Sequence, residues 1–586
     1  MRFLGNVLAT VIGIFVFMML SFFGIILIGV IFGGDSETVE VENNSVIELN
    51  LSDISDDYAG KYSDPWVTAF SERKKIGLTD VINAIEIAET DDAIKGISIL
   101  NTNSSLGIAH SKELRDALNR FKKSGKFIYS YANNYSQKEY YLNSVATSIY
   151  INPIGELDFK GLSTEVMFFK DFQEKSGLKM EVIRHGKYKS AVEPFLENKM
   201  SDANKEQTMA LLNGIWTNIV EDISKSRNIP VEKLNTIANG LLARTPEMAK
   251  AQNLIDYIAY EDVYHNAIRK VLKVDKDEDY NTVSIADYTQ KTTTTSVNMD
   301  SNDAIAIVYA QGEIGSGEGD VNEIGEGSMR RSLQEARKDD DIKAIVLRIN
   351  SPGGSALTSD LIWREIELTK RVKPVVVSMG NYAASGGYYI ACNANTIFAE
   401  KNTITGSIGV FGTLPNFSVA ANRYGINTEQ VRTHENASNY SPFVPMDEKF
   451  KAITLEGVEN IYATFIGHVA EGRKMTTAQV DAIGQGRVWT GSEAVKIGLV
   501  DKIGGLREAI AEAAKLAKIK SYSTVNYPEY EKNFEDIFAN FPFAKSKMAF
   551  IKEEIGEENY QLLQEIKRIK QRKGIQAIMP FEISIQ

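Results

Sequence analysis

Apolar and polar positions alternate with two different periods along most of the chain. Residues 45–51, Ser-Val-Ile-Glu-Leu-Asn-Leu, show the period of a half-buried strand, and from there short apolar runs alternate with amphipathic segments. The pattern predicts a helix over 78–89, a strand over 94–100, a helix over 111–124 and a strand over 127–131. That order is typical of βαβ units with a mostly parallel sheet, so the sequence predicts an α/β fold.

The pattern restarts as a copy of itself, with a new alternating strand at 304–309. A shift of 248 residues pairs Ile94-Lys95 with Ile342-Lys343, Ser130 with Ser378, Asn133 with Asn381, Tyr140-Tyr141 with Tyr388-Tyr389, Gly161 with Gly409, and Pro194-Phe195 with Pro442-Phe443. A shift of 245 then pairs Leu254-Ile255-Asp256 with Leu499-Val500-Asp501. We therefore predict two tandem domains of one fold, at 46–287 and 304–525.

The remaining segments are assigned by composition and period. Residues 288–303 carry no hydrophobic period and are predicted to be an interdomain linker. Residues 526–586 form a C-terminal extension, in which 556–573 predict an amphipathic helix with a basic end and 579–585 a final strand.

The N-terminal segment predicts a membrane anchor. Residues 3–34 contain no charged side chain, and their apolar core at 7–32 is long enough to span a bilayer as a helix. Because no Ala-x-Ala-like cleavage site ends it, we expect an uncleaved anchor at 1–34 and a tether at 35–45. Arg2 precedes the span and acidic residues follow it, which places the N-terminus in the cytoplasm and the rest outside.

Composition narrows the classes of function. The formal net charge of −12 argues against nucleic acid as a partner. The single cysteine, Cys392, excludes an internal disulfide framework and a multi-cysteine metal site.

One hydroxyl stands in a run of small residues at 379–389, Met-Gly-Asn-Tyr-Ala-Ala-Ser-Gly-Gly-Tyr-Tyr. An apolar run at 374–378 predicts a buried strand before it, and 388–393 predict a helix after it. Ser385 on such a turn, followed by Gly386 and Gly387, suits a nucleophile whose oxyanion meets backbone N–H groups. Taken alone, the segment fits a small-residue packing site equally well.

A second glycine-rich turn lies at 348–355, Arg-Ile-Asn-Ser-Pro-Gly-Gly-Ser. Gly353 and Gly354 could present N–H groups to an oxyanion, although an ordinary Pro-Gly turn is the alternative. The first half has lost both features. Gln137 stands opposite Ser385, Lys138-Glu139 opposite the two glycines after it, and Asn-Thr-Asn-Ser-Ser at 101–105 opposite the second turn.

A nucleophilic serine needs a base. The histidines, His110, His185, His265, His434 and His468, form no motif with Ser385, but triad partners can lie far apart, so a Ser/His pair stays open. Lysine is the other candidate, and it needs a desolvated pocket, since its ordinary pKa is about 10.4.

Lys189 lies in the apolar setting Lys-Ser-Ala-Val, where the second half has Ala437. Each domain has therefore lost what the other keeps, which predicts one active site at the interface between them. A surface lysine, which most lysines are, is the alternative.

Four motifs in this order, Gly-Lys-Tyr-Lys-Ser-Ala-Val-Glu-Pro-Phe, Ser-Pro-Gly-Gly-Ser, Ala-Ala-Ser-Gly-Gly-Tyr-Tyr and Thr-Gly-Ser-Ile-Gly-Val at 405–410, resemble the signal peptide peptidase A (protease IV) family in its long two-domain bacterial form. The resemblance covers essentially the whole chain. It implies two Clp-protease/crotonase-like ββα superhelix domains and a membrane-anchored serine peptidase with a Ser/Lys dyad. It also implies a homo-oligomer, a tetramer in this family, that degrades released signal peptides and other apolar peptides without a metal or cofactor.

Carried over by motif, the resemblance implies Ser385 as nucleophile and Lys189 as general base. Gly354, Gly386 and Gly353 would supply the oxyanion hole, and Ser407, which faces Phe159 in the first half, would hydrogen-bond the lysine. The implied location is the bacterial inner membrane, with a single pass and the catalytic domains on the periplasmic side. Two alternatives remain at this point, an acyl-CoA lyase or isomerase of the crotonase type and a catalytically silent membrane scaffold.

Overall fold

The computed structural model describes residues 40–55, 57–62, 76–100, 104–296, 302–437, 440–530 and 575–579, together with 6, 10, 12–21, 23 and 24. The strands of the first half are β1 (Ser45–Asn50), β2 (Lys61–Tyr62), β3 (Ile94–Leu100), β4 (Phe127–Ala132), β5 (Ser148–Ile151), β6 (Lys179–His185), β7 (Tyr257–Ile258) and β8 (Thr282–Ser284). Those of the second half are β9 (Ala304–Gln311), β10 (Glu313–Gly315), β11 (Gly319–Asp320), β12 (Glu323–Gly325), β13 (Ile342–Ser351), β14 (Gly353–Ser355), β15 (Val375–Ala384), β16 (Thr396–Ala399), β17 (Ile404–Gly406), β18 (Val410–Asn416), β19 (Val488–Thr490), β20 (Lys502–Ile503), β21 (Ser523–Tyr527), β22 (Glu529–Tyr530) and β23 (Gln576–Ile578).

Helices connect these strands. In the first half they are Leu78–Ala88, Ile108–Lys123, Gln137–Asn143, Lys170–Ser176, Glu193–Leu196, Asp202–Arg227, Val231–Asn239, Pro246–Ala251, Glu261–Leu272 and Ile285–Ser296, with 3-10 turns at Leu51–Asp53 and Ser190–Val192. In the second half they are Glu326–Lys338, Ala356–Lys370, Gly386–Ala391, Ser418–Arg423, Glu448–Arg473, Thr477–Ile483, Gly491–Lys496 and Leu506–Ala517.

Each half is built on its own sheet. In the first half the strand order is β7-β5-β4-β3-β1-β8 and every pairing is parallel. In the second half the order is β19-β17-β15-β13-β9-β21, with only the β17–β19 pair antiparallel along that path. Helices cover these sheets, which is why β9 is buried at every position and reads as a continuous apolar run. The predicted α/β fold is confirmed.

The internal repeat extends to individual hydrogen bonds. The hydroxyl of Tyr140 donates to the Leu254 carbonyl at 2.8 Å, and Tyr388 makes the same bond to Leu499 at 2.8 Å. Asp256 accepts from the Ile149 N–H at 2.8 Å, and Asp501 accepts from Ile397 at 2.8 Å. Both pairs obey the shifts found in the sequence, so the two halves share their packing as well as their pattern.

A third sheet joins the two halves, in the order β11-β12-β10-β14-β23-β18-β6. Its last strand, β6, comes from the first half and pairs antiparallel with β18 of the second half at all seven positions. This pairing fixes the position of the segment after β6 relative to the second domain.

The structure differs from the sequence prediction at the linker, 288–303. A helix, Ile285–Ser296, continues through its first part. Tyr288, Thr289 and Thr292 are buried, and the hydroxyls of both threonines donate to backbone carbonyls one turn earlier. A threonine whose hydroxyl bonds to the preceding turn can lie on the buried face of a helix. A hydrophobic period that counts only apolar side chains does not detect such a face.

Both ends of the chain are described only in part. The predicted anchor at 1–34 lies largely outside the described residues, although residues 12–21 within it are helical. No helix among the described residues is long and apolar enough to cross a membrane. The predicted helix at 556–573 lies outside the described residues, and so does most of the predicted strand at 579–585. The described C-terminal strand, β23, lies three residues earlier than that prediction.

A buried polar network ties the domains together at a second place. Arg348 of the second half donates to Asp57 at 2.7 and 2.9 Å and to Glu113 at 2.5 Å, both in the first half. His110 bridges Asp57, at 3.1 Å, and Asn381, at 2.8 Å. Burial opposes charge on Asp57, yet Arg348 and His110 hold the pKa of its carboxyl well below the usual range.

We therefore expect Arg348→Met to lower the free energy of unfolding by about 3–5 kcal/mol, since it leaves two buried carboxylates without their cation. Denaturant unfolding of the purified protein measures this. The matched control is Lys61→Met, which breaks an exposed 3.3 Å pair with Glu529 and should cost less than about 1 kcal/mol. Equal losses in the two variants would contradict the network's role.

Candidate active site

Ser385 lies directly after β15, at the start of the helix Gly386–Ala391. Its backbone has φ 55° and ψ −112°, a conformation that costs a non-glycine residue about 1–3 kcal/mol. The Ser385 N–H donates to the Gly406 carbonyl at 2.8 Å, which holds the turn in place. Small residues are needed beside it, because a Cβ on Gly387 would lie 2.8 Å from the Ser351 carbonyl oxygen. Close packing and a tight strand-to-helix turn therefore occur together at Ser385.

Lys189 comes from the other half of the chain and reaches Ser385. Its Nζ lies 2.9 Å from Ser385 Oγ, 3.0 Å from Ser407 Oγ and 3.2 Å from the Ser407 carbonyl oxygen. Lys189, Ser385 and Ser407 are all 0% exposed. Burial lowers the pKa of the Lys189 amine well below its ordinary value. The arrangement provides a hydroxyl and an amine in contact, out of water.

Strand pairing explains how a first-half lysine arrives there. The β6–β18 register places His185 opposite Val410, so the chain after β6 turns toward residues 407–409. Gly186, with φ 110°, makes the turn, and the Tyr188 N–H donates to the Gln485 carbonyl at 2.8 Å. The side-chain amide of Gln207 holds this segment by two hydrogen bonds. Its Nε2 donates to the Tyr188 carbonyl at 3.0 Å and to Ser190 Oγ at 2.8 Å.

A supporting loop, residues 484–487, was missed by the sequence analysis. A Cβ on Gly486, whose φ is 81°, would lie 2.6 Å from the Cβ of Lys189. The Gly486 N–H donates to the Ile408 carbonyl at 2.7 Å, and the Arg487 carbonyl accepts from the Ser407 N–H at 2.7 Å. The signal was the pair of glycines in Gly-Gln-Gly-Arg, which leaves room for a backbone or side chain to approach.

The predicted oxyanion glycines lie next to the turn at Ser385. Gly353 has φ 105° and Gly354 φ 155°, and a Cβ on Gly353 would lie 2.8 Å from the Gly386 nitrogen. The Gly353 N–H donates within its own turn, to Ser351 Oγ at 3.2 Å. The Gly353 N–H therefore already has an acceptor within its own turn.

The corresponding place in the first half is filled by an amide. Gln137 donates from Nε2 to the Gly161 carbonyl at 2.9 Å and accepts from the Gly161 N–H at 2.9 Å. Its counterpart Ser385 contacts the carbonyl of Gly409, the residue equivalent to Gly161, at 3.4 Å. A glutamine side chain closed on the backbone leaves no nucleophile at this position.

Within the described residues, the hydrogen bonds of the five histidine rings go to residues other than Ser385, so a Ser/His pair gains no support. Their ring partners are Asp57 and Asn381 for His110, Glu459 for His185, Tyr280 for His265, Thr433 for His434 and Asp360 for His468.

Comparison with known proteins bears on this site. The family model described as "Peptidase family S49" matches twice, at residues 120–275 and 367–520, which is once in each half. "Protease 4" of Haemophilus influenzae is 35% identical over 510 residues, covering 84% of this chain and 82% of that protein. The chloroplastic "Serine protease SPPA" of Arabidopsis thaliana is 33% identical, covering 82% and 70%. A solved mutant ClpP1 from Listeria monocytogenes is 18% identical, covers 38% of this chain and 98% of its own, and has a TM-score of 0.25, so the Clp-type superhelix stays a prediction.

The desolvated amine makes a prediction about stability and pH. The folded chain holds Lys189 with a lowered pKa, so between that value and about 10.4 the unfolded chain binds one more proton than the folded chain. The free energy of unfolding of the wild type should therefore rise with pH relative to Lys189→Met, by up to about 1.4 kcal/mol per pH unit in that window.

Denaturant unfolding at several pH values between about 7 and 9 measures this difference. Lys187→Met removes an exposed lysine two residues away and should keep the pH dependence of the wild type. A constant difference between wild type and Lys189→Met would mean that Lys189 is charged in the folded protein.

Proposed function

The chain belongs to peptidase family S49 and is a serine peptidase, and we propose that Ser385 and Lys189 are the dyad with which it hydrolyses peptide bonds. The observation that carries the proposal is the 2.9 Å contact between Lys189 Nζ and Ser385 Oγ in a pocket closed to water. Membership of a peptidase family sets aside both an acyl-CoA lyase or isomerase and a silent scaffold.

The protonation of the amine determines its role. A neutral amine has two N–H bonds and one lone pair, and Lys189 has three polar contacts. Two of them, the carbonyl and hydroxyl oxygens of Ser407, can accept the N–H bonds, which leaves the lone pair for the Ser385 hydroxyl proton. Ser407 thus positions the amine as a base. Its own φ of 50° is held by the bond from its N–H to Arg487.

In the proposed reaction, Lys189 takes the proton of Ser385 as Oγ attacks the scissile carbonyl carbon. The Gly354 and Gly386 N–H groups, with Gly353 shaping the turn, stabilise the tetrahedral oxyanion. Lys189 then gives its proton to the leaving amine. Water attacks the acyl-enzyme, its proton returns to Ser385 through Lys189, and the second product leaves as a carboxylate.

The motif resemblance and the apolar N-terminal segment support a proposal for the substrates and the location. We infer that the enzyme degrades released signal peptides and other apolar peptides, as a homo-oligomer at the bacterial inner membrane. The apolar residues 7–32 would anchor it with a single pass, and domains at 46–287 and 304–525 would lie on the periplasmic side.

Substitution of the dyad tests the mechanism. Ser385→Ala and Lys189→Met should each lower kcat for a fluorogenic apolar peptide by about a thousandfold or more. Circular dichroism should show that both variants remain folded. Ser407→Ala should lower kcat by a smaller factor, about 10–100, because the base keeps its contact with the backbone carbonyl of residue 407 and loses only the hydroxyl contact. Lys187→Met is the matched control and should keep wild-type kcat. Near-normal turnover by Lys189→Met would reject the dyad.

Removal of the anchor tests the location. A chain beginning at residue 40 should hydrolyse a soluble peptide with kcat near that of the full chain, because no residue of the site lies before that point. It should leave the membrane fraction and appear in the soluble fraction. A truncated chain that still sediments with membranes would show that residues 1–39 are not the anchor.

A further inference from the structure

The base segment, residues 186–190, is held by one glutamine of a neighbouring helix. Nε2 of Gln207 donates to the Tyr188 carbonyl at 3.0 Å and to Ser190 Oγ at 2.8 Å, which are the residues directly before and after Lys189. Gln207 is 1% exposed, and Ser190 is buried as well. A single amide that bonds residues 188 and 190 fixes the backbone from which the side chain of the base extends.

The oxygen of the same amide contacts the other domain. Gln207 Oε1 accepts from the Val488 N–H of β19 at 3.5 Å. Val488 pairs with Gly406 of β17, and the Gly406 carbonyl accepts from the Ser385 N–H at 2.8 Å. The amide of Gln207 therefore connects the base segment to the strand pair that holds the turn of the nucleophile.

Two further contacts hold Tyr188. Its N–H donates to the Gln485 carbonyl at 2.8 Å, and its hydroxyl donates to Glu206 Oε2 at 3.2 Å. Glu206 also accepts from Arg487 at 2.8 Å, and the guanidinium carbon lies 5.0 Å from the centre of the Tyr188 ring. These contacts stay when Gln207 is replaced, so its loss frees only the end of the base segment that carries the amine.

The helix Asp202–Arg227, which carries this glutamine, is bonded to both halves of the chain. Near its start, Asn204 donates to Glu193 Oε2 at 2.6 Å, three residues beyond the base segment. Farther along, Asn218 donates to Asn402 Oδ1 of the second half at 2.8 Å. A side chain on a helix that is held at two places gives a rigid support to a catalytic group.

We propose that Gln207 is the positioning residue of the general base: its amide holds the base segment against the second domain, so that Lys189 Nζ stays at Ser385 Oγ and away from water. The inference rests on the proposed dyad and adds to it a residue that acts through the backbone beside the base. Among the described residues, Gln207 has no hydrogen bond to either reacting side chain.

Release of the base segment should hydrate the amine and raise its pKa. Burial is what lowers the pKa of Lys189. Hydration therefore returns that pKa toward its ordinary value of about 10.4. The charged groups on the elements around the segment bond to partners other than the amine: Arg184 to the Lys189 carbonyl, His185 to Glu459, Glu193 to Asn204 and Arg487 to Glu206, while Lys187 lies over the Tyr188 ring.

The pH dependence of kcat/KM tests the assignment. Lys189 acts as a base in its neutral form, so activity falls as the pH decreases through its pKa. Gln207→Met keeps the approximate size of the side chain and removes the amide. It should lower kcat at about pH 7 by about 10–100-fold and move the acidic limb of the profile to higher pH by about one unit or more. Part of the lost activity should return at about pH 9.

The pH dependence of stability gives a second readout that needs no turnover. A chain that buries a neutral Lys189 takes up a proton when it unfolds, so its free energy of unfolding rises with pH relative to Lys189→Met. Gln207→Met should show a smaller rise than the wild type between about pH 7 and 9, because its amine is already hydrated in the folded chain.

Gln137→Met is the matched control. Gln137 is also 1% exposed, and both ends of its amide bond the Gly161 backbone, at 2.9 Å each, in the half that has no nucleophile at this turn. This variant should lower the free energy of unfolding and keep the wild-type pH profile. Ser190→Ala, which removes one acceptor of Gln207, should shift the profile in the same direction by a smaller amount, and it supplies the measurement if Gln207→Met does not fold.

A loss of activity that is the same at every pH overturns the inference, and so does a shift in Gln137→Met equal to that in Gln207→Met. The proposed function fails differently, since near-normal turnover by Lys189→Met rejects the dyad whatever Gln207→Met does. If Lys189→Met is inactive and Gln207→Met keeps the wild-type profile, only the assignment of Gln207 fails.

Discussion

An amine that acts as a base near neutral pH needs a place from which water is excluded, and the role proposed for Lys189 depends on how the two domains enclose it. Lys189 is fully buried, and burial is what lowers its pKa. One α/β domain with its site at the end of a strand leaves that end open to solvent. Here the second domain supplies the strand end at Ser385, and the first domain closes over it with the segment after β6. Enclosure of the base thus requires two domains in a fixed relation.

The internal repeat shows which features the two domains share and which differ between them. Both halves keep the tyrosine bond from a helix to a loop and the aspartate bond from that loop to a strand. Only the second half keeps a serine at the turn, while the first half places Gln137 there and closes it on Gly161. In the proposed arrangement the first half needs no nucleophile at this turn, and Gln137 closes the turn by hydrogen bonds to Gly161.

Sequence alone identified the parts of this site that are visible in a comparison of the two halves. Ser385 against Gln137 and Lys189 against Ala437 are differences at aligned positions, and the structure brings the two retained residues together. The loop at Gly486 was missed for a different reason, since its contribution depends on which distant segment it touches. The helix over 285–296 was missed because threonine hydroxyls bonded to the preceding turn take the place of apolar side chains. Local pattern carries no information about such contacts.

The two buried basic side chains at the interface, Arg348 and Lys189, have hydrogen-bond partners of different charge. Arg348 is buried with Asp57 and Glu113, whose charges raise its pKa against the effect of burial, so it remains a cation and links the domains. Within the described residues, Lys189 hydrogen-bonds the hydroxyl and the carbonyl of Ser407 besides Ser385, and these oxygens can accept its N–H bonds but bring no negative charge. A carboxylate at hydrogen-bond distance would favour the ammonium form and abolish the lone pair that a base requires. Neutral oxygen partners therefore position the amine without charging it, and the buried carboxylates that pair with Arg348 contact a different part of the interface.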